Sequence, residues 1–348
     1  MSSKKERKSA EKNDRVFEEA FSEEKSEVIQ SKPESKENLS MITTYQRCPE
    51  KRFVIESKMA SSSIAEIHKG KDLFNRKKVA IKTFQKMYEK DAEREIEILN
   101  VIKKDENILC LKLIEYFIVD GNFHIVTALH GLSIPNYIKE FDGFNMDEVK
   151  MISSQLIDAV DFLHGEGIVH ADIKPPNIVL SSQENKVSEG IKLIDLGNAE
   201  FETNFKEERE DRKFIILNYR APEIILSLSL DHRVDIWALG CCIYKIFSTK
   251  HIFKYVRGNL ANTTKPMVEQ LIDFSSRGSE RLIKSSKVVD FSLLDVSKVD
   301  CKEQFSKKLN DSNENLINLK SLILQLTQFD PENRTTLKEA KKHVFFKN

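Results

Sequence analysis

Cysteine is scarce in this chain of 348 residues, and its five cysteines (Cys48, Cys110, Cys241, Cys242 and Cys301) are odd in number and never spaced as C-x-x-C. That excludes a disulfide framework and a thiolate zinc site, and predicts reduced thiols in a cytosolic or nuclear protein. Charge of one sign is missing too. The 55 Lys and Arg balance 55 Asp and Glu, so no net field draws the chain to nucleic acid or an anionic membrane. No apolar run reaches the ~20 residues of a membrane span, and the first residues lack the apolar core of a secretory signal. No internal repeat is evident. These absences leave an intracellular protein, nuclear or cytoplasmic, with neither direct nucleic-acid binding nor membrane attachment. It is long enough to bury a sizeable core in two modest domains or one bilobed one.

What is present changes character along the chain. Residues 1–48 carry a charge at almost every other position and few apolar side chains, so they are expected to form a disordered tail. Lys4, Lys5, Arg7 and Lys8 within it suit either an import patch or a solvated tail. From residue 49 the pattern becomes that of a folded domain. Phe53–Ile55 and Ile64–Ile67 read as a hairpin and Lys78–Phe84 as a third strand. Asp91–Ile102 reads as a helix with Ile96, Leu99 and Ile102 on one face, and Leu111–Val119 and Phe123–Leu129 read as two more strands. This first lobe spans about 49–130. The second, about 131–348, is helical. Asn145 and Glu148 form a capping box, Val149, Ile152, Leu156, Val160 and Leu163 line one face, and Gly165 can close that helix. Val234–Phe247 is apolar almost throughout, residues 250–314 form a weakly patterned insert, and Leu316–Leu326 and Thr336–Val344 close the lobe.

The polar motifs fall in a telling order. His170-Ala171-Asp172-Ile173-Lys174-Pro175-Pro176-Asn177 offers a carboxylate able to take a proton from a hydroxyl, a lysine able to hold a γ-phosphate, and an amide able to ligate a metal. Ile194-Asp195-Leu196-Gly197 adds a second carboxylate after an apolar strand, Val79-Ala80-Ile81-Lys82 ends a β-branched run on a lysine, and Ala221-Pro222-Glu223 follows. Together they resemble a eukaryotic protein kinase over residues ~50 to 346. The resemblance implies an α+β bilobed kinase fold: a small antiparallel-sheet N-lobe with one main helix, and a larger helical C-lobe. It implies ATP and Mg²⁺ as cofactors, Asp172 as base, Lys174 on the transferring phosphoryl group, and Asn177 and Asp195 as metal ligands. Lys82, oriented by Glu95, would meet the α- and β-phosphates. Ala60, Ser62, Ala65 and Ile67 would cover the phosphates, Ala80 would line the nucleotide site, and Thr127 would be the gatekeeper. Ala128 to His130 would supply backbone bonds to the base, with the His130 ring facing solvent. His170 is expected to brace the loop, Asp235 to anchor its backbone, and Arg334 to pair with Glu223.

Lys174-Pro175-Pro176-Asn177 is of the serine/threonine type, and Tyr219-Arg220-Ala221-Pro222-Glu223 is similar to the CMGC group. Other wording resembles the SR-protein kinases (Asp195-Leu196-Gly197-Asn198-Ala199), the LAMMER or CDC-like kinases (His130-Gly131-Leu132-Ser133) and the pre-mRNA-processing kinases (His170-Ala171-Asp172). Those branches imply an enzyme acting on protein substrates, Arg-Ser-rich ones among them, and the chain is expected to be a monomer. The acidic residues Glu207, Glu208, Glu210 and Asp211 suit such a substrate, or equally a solvated loop. Three features depart from the family. Ala60, Ser62 and Ala65 stand where it has glycines, Ala171 where it has the arginine that reads an activation-segment phosphate, and Ile216 where it has a threonine that bonds the catalytic aspartate. The departures keep a second reading open: a non-catalytic scaffold on the same fold.

Overall fold

Alternation builds the first part of the chain. In Lys78–Phe84, Val79 and Ile81 are fully buried on one side, which leaves Ala80 and Lys82 to the other. The structure, a computed structural model, describes residues 52–104, 109–205, 217–254, 260–275, 279–286, 294–295, 297, 299–309 and 313–347. The charged tail, the acidic run at 207–211 and Ile216 lie outside the described residues. Two compact units share the chain. One holds the described residues up to Asn100 with Lys112–Leu129, and the other holds Val101–Leu111 and His130–Asn348.

In the first unit, β1 (Phe53–Ser61), β2 (Ala65–Asp72), β3 (Lys78–Phe84), β4 (Leu113–Val119) and β5 (Asn122–Ala128) form one antiparallel sheet in the order β1-β2-β3-β5-β4. Phe53, Val79, Ile81, Phe117 and Val126 pack as its core. The fourth strand starts two residues later than its apolar run suggests, because Leu111 belongs to the second unit and donates its N–H to the Leu193 carbonyl (2.9 Å). Helix α1 (Glu89–Ile102) places Glu89 and Asp91 in its first turn, where carboxylates favour the helix dipole. It buries Ala92, Ile96 and Leu99 along a helical stripe, and Glu95 lies on that same stripe at only 2% exposure. A carboxylate there requires a counter-ion.

The second unit opens with α2 (Ile134–Phe141), a short helix that the apolar pattern does not announce; Ile134 is its one buried residue. Helix α3 (Met146–Gly165) is capped as expected: Asn145 Oδ1 accepts from Glu148 N at 3.0 Å, and Glu148 Oε2 accepts from Asn145 N at 2.8 Å. The left-handed residue that follows it is Gly167 (φ 70°) rather than Gly165. Next come β6 (Ile168–Val169), β7 (Ile178–Leu180), β8 (Ile191–Leu193), β9 (Glu200–Phe201), α4 (Glu202–Phe205), α5 (Pro222–Ile225) and α6 (Arg233–Ser248). The strands pair as two small antiparallel ladders, β6 with β9 and β7 with β8. Helix α6 is buried along nearly its whole length. The insert contains α7 (Leu260–Ser275), α8 (Ser279–Ser285) and α9 (Cys301–Lys308), followed by α10 (Glu314–Leu326). Gly240 lets α6 and α10 meet closely, since a Cβ there would lie 2.5 Å from Thr327 Cγ2 and 3.0 Å from Leu326 Cβ. The last expected helix is shorter than its pattern: α11 (Leu337–Ala340) is one turn, and a 3₁₀ turn at Val344–Phe346 follows it. The four described cysteines are free and buried.

One ion pair fastens the base of this unit. Arg334 donates to both oxygens of Glu223 (2.6 and 2.7 Å), and both side chains are almost fully buried. Its remaining donors reach the carbonyls of Arg233 and Gln328, and its guanidinium lies 5.2 Å from the Trp237 ring centroid. All this satisfies a buried charge on every side. Removing the cation alone leaves Glu223 uncompensated, so Arg334→Ala is expected to destabilise the protein by about 3–5 kcal/mol, read from urea unfolding. The double variant Glu223→Gln/Arg334→Met is expected to lose less than that single change. A neutral Arg334→Ala would mean that the clamp holds nothing.

Candidate active site

Sheet register gathers the first group of candidate residues. Ala60 pairs with Ile67, Ile67 with Lys82, Ala65 with Phe84, and Ala80 with Thr127. Directly opposed residues share a face, as do residues two apart, so Ala60, Ala65, Ile67, Ala80, Lys82 and Thr127 all lie on one face of the sheet. It is the face opposite the one that buries Val79 and Ile81. Lys82 Nζ meets Glu95 Oε2 at 2.8 Å and sits 5.1 Å from the Phe84 ring centroid, which answers the charge buried on α1. Ala128 ends β5 in this unit.

The turn between β1 and β2 is closed by a side chain. Ser62 Oγ accepts the N–H of Ala65 (3.1 Å) and of Ile64 (3.4 Å), while Ser62 N donates to the Ala65 carbonyl (2.8 Å). This hydroxyl-stabilised turn stands where glycine would leave the backbone amides open.

The second group lies in the other unit, on the loop between β6 and β7 and just after β8. Asp235, on α6, accepts the N–H of His170 (2.8 Å) and of Ala171 (2.9 Å) and meets His164 Nε2 at 3.0 Å. Burial alone would raise the Asp235 carboxyl, but the bonds from His164 and His170 hold it below the ordinary carboxylate range. Ala171 is thereby held in the left-handed region (φ 60°), and Asp195 adopts it as well (φ 64°). Such conformations cost on the order of 1–3 kcal/mol for residues with a Cβ. His170 is fully buried. Its Nδ1 accepts the Asp172 N–H (3.3 Å) and its Nε2–H donates to the Ile194 carbonyl (3.3 Å), so one imidazole braces the segments that carry both carboxylates. The Ile194 N–H donates in turn to the Asn177 carbonyl (2.8 Å), which fixes Asn177 beside Asp195 in the chain pairing.

Asp172 is 3% exposed, and its two oxygens differ. Oδ2 meets Lys174 Nζ (3.0 Å), Asn177 Nδ2 (3.2 Å) and Asn198 Nδ2 (3.3 Å). Oδ1 is buried with no hydrogen-bond partner. Burial pushes the Asp172 carboxyl up from its usual range, Lys174 opposes that, and the nearby Asp195 charge adds to it. Asn177 spends its amide group on Asp172, bonding the main-chain oxygen (3.0 Å) as well as Oδ2, which leaves its Oδ1 as the acceptor.

Asp172, Lys174, Asn177 and Asp195 are thus brought together in this unit, and Lys82, Glu95, Ala80 and Thr127 in the other. Two residues join them that the sequence left without a role in the site, Asn198 and His164. Asn198 lies three residues after Asp195, in the loop between β8 and β9. One expectation is corrected. The His130 ring does not face solvent but is half-buried, with Nδ1–H donating to the Ser181 carbonyl (3.4 Å), because Gly131 and Leu132 are tied to the 180–185 segment. Burial lowers the His130 pKa.

Residues 53–346 match the family described as protein kinase domain. The chain is 30% identical over 263 residues to dual specificity protein kinase lkh1 of Schizosaccharomyces pombe, a stretch covering 68% of this chain and 38% of that protein. It is 28% identical over 338 residues to serine/threonine-protein kinase AFC2 of Arabidopsis thaliana (85% of this chain, 77% of the relative). Against dual specificity protein kinase CLK1 of Mus musculus it is 28% identical over 302 residues, covering 78% of this chain and 60% of the relative. It spans well under half the length of the S. pombe relative, and 39% of the Drosophila melanogaster kinase Doa. With the match extending over all but the two ends of the chain, and with these relatives, the protein belongs to the protein kinase domain family, in the CMGC branch that holds the CDC-like and SR kinases.

Proposed function

We propose that the chain transfers the γ-phosphate of ATP to serine or threonine hydroxyls of proteins, as a monomer in the nucleus or cytoplasm. The observation that carries this reading is Asp172: a buried carboxylate with one oxygen loaded by three donors and the other bare. A bare buried carboxylate oxygen costs stability, and accepting a substrate hydroxyl proton is the use that fits it. Lys174, bonded to the same carboxylate, would steady the phosphoryl group as it moves. Lys82, oriented by Glu95, supplies positive charge to the phosphates of the nucleotide.

The residues also fit Mg²⁺. That ion takes one or two carboxylates and completes its shell with water and substrate phosphates, so it needs no all-protein cage. Asp195 and the Oδ1 of Asn177 are oxygen donors of the right kind, and a cation relieves the repulsion between Asp172 and Asp195. When bound, Mg²⁺ would neutralise charge on the phosphates. Among the described residues no helix is long and apolar enough to cross a membrane.

The SR-kinase-like wording around Asp195 favours Arg-Ser-rich substrates, and the carboxylates of Glu207, Glu208 and Glu210 would attract arginine at about 1 kcal/mol or less per exposed pair.

Three outcomes follow. Purified protein is expected to incorporate phosphate into Ser-rich peptides with Mg²⁺ and ATP, and Asp195→Ala to abolish this with its unfolding midpoint unchanged. Equal background incorporation by both proteins would replace the enzyme reading with the scaffold one. An Arg-Ser repeat peptide is expected to be phosphorylated faster than a Ser peptide flanked by acidic residues, the advantage shrinking with added salt and when Glu207, Glu208 and Glu210 become Gln. A preference for the acidic peptide would exclude the substrate class. Finally, Ser62→Gly and Ser62→Ala both release the amides of Ile64 and Ala65 that the hydroxyl occupies, making them available to phosphate oxygens. ATP affinity should rise severalfold, while adenosine affinity stays the same. Weaker ATP binding by both variants would show instead that the hydroxyl itself serves the phosphates.

A further inference from the structure

Three donors load Oδ2 of Asp172, and they are not equivalent. Lys174 and Asn177 lie two and five residues from Asp172, on the same loop, and move with it. Asn198 is 26 residues away, just past β8 in the segment that carries Asp195. Of these three, it alone ties the carboxylate to a different segment. The His170 and Ile194 bonds fix the loop backbone against the Asp195 segment, but of the three donors on the carboxylate itself only Asn198 comes from that segment. The following segment has no serine or threonine between Asn204 and Ala221.

We propose that Asn198 is a positioning residue, whose amide fixes the plane of the Asp172 carboxylate from the Asp195 side so that Oδ1 is the oxygen presented to the substrate hydroxyl. This deepens the kinase reading above and rests on it. Asn198 contributes geometry and takes no proton. Its residue is itself exposed, so truncating it opens no cavity in the core.

The test separates geometry from stability and from binding. Asn198→Ala is expected to lower kcat about tenfold or more, because small misplacements of reacting groups cost that much. KM for ATP and peptide, nucleotide affinity measured directly, and the thermal midpoint are expected to stay within twofold or within error. The near-isosteric Asn198→Asp keeps the shape and loses the donor, and is expected to fall at least as far. In an Asp172→Asn background, measured by single-turnover transfer at high enzyme concentration, removing Asn198 is expected to cost less than twofold more. The inference is overturned if Asn198→Ala keeps wild-type kcat or if Asn198→Asp keeps it. It is also overturned if the loss is matched by a fall in thermal midpoint, or if the full loss persists once Asp172 has been changed. An unmodified protein that transfers no phosphate would fail the kinase reading itself, and this inference with it. Active wild type with indifferent Asn198 variants would fail this inference alone.

Discussion

The carboxylate of Asp235, inside a buried helix, is the constraint on which the second unit depends. It is 1% exposed, and its charge is answered by two main-chain N–H groups and a histidine ring, all from the segments that lead into the Asp172 loop. A buried charge bonded in this way has one low-energy arrangement, and disturbing it exposes an unsatisfied anion to low dielectric. The left-handed backbone at Ala171 is affordable only because Asp235 holds the N–H of that residue. From there the order propagates: His170 bonds Asp172 on one side and Ile194 on the other, and Ile194 bonds Asn177. Asp172, Asn177 and Asp195 therefore stand on a frame whose anchor, Asp235, is not itself one of the candidate site residues.

How much of this was legible depends on whether the cause was local. β3 was read to the residue because alternation is a property of the strand itself, and the Asn145–Glu148 box was read because both halves of it lie within four residues. The insert was opaque for equally physical reasons. α7 carries Pro266 inside it and buries Gln270, whose amide is satisfied by the Lys254 backbone, so its stripe is interrupted at a core position. α2 buries only Ile134, too little to make a period. The start of β4 was displaced by a bond between Leu111 and Leu193, a contact 82 positions along the chain that no window can show.

The candidate site divides the same way. That Ala60, Ala65, Ile67, Ala80, Lys82 and Thr127 share a face follows from parity and register once the strands are known. Glu95 on an apolar stripe already demands a cation. What the sequence withheld were the choices made by short polar side chains in three dimensions: Ser62 turning back on its own loop, the His130 ring turning to Ser181, and Asn198 reaching Asp172. One of these occurs at a departure from the family wording: Ser62 stands at a glycine position, and its hydroxyl bonds the amides of its own turn.

The arrangement also bears on whether the fold serves chemistry or only binding. A scaffold needs the Glu223–Arg334 clamp and the Asp235 anchor, since both hold the unit together. It has no need of a left-handed Asp195 or of a buried Asp172 oxygen without a partner, each of which costs free energy in the folded state. At Asp172 the cost falls on Oδ1 alone, while the other oxygen of the same carboxylate carries three donors. An unpartnered oxygen beside one that carries three donors fits the proposed role of Asp172 as a preorganised base.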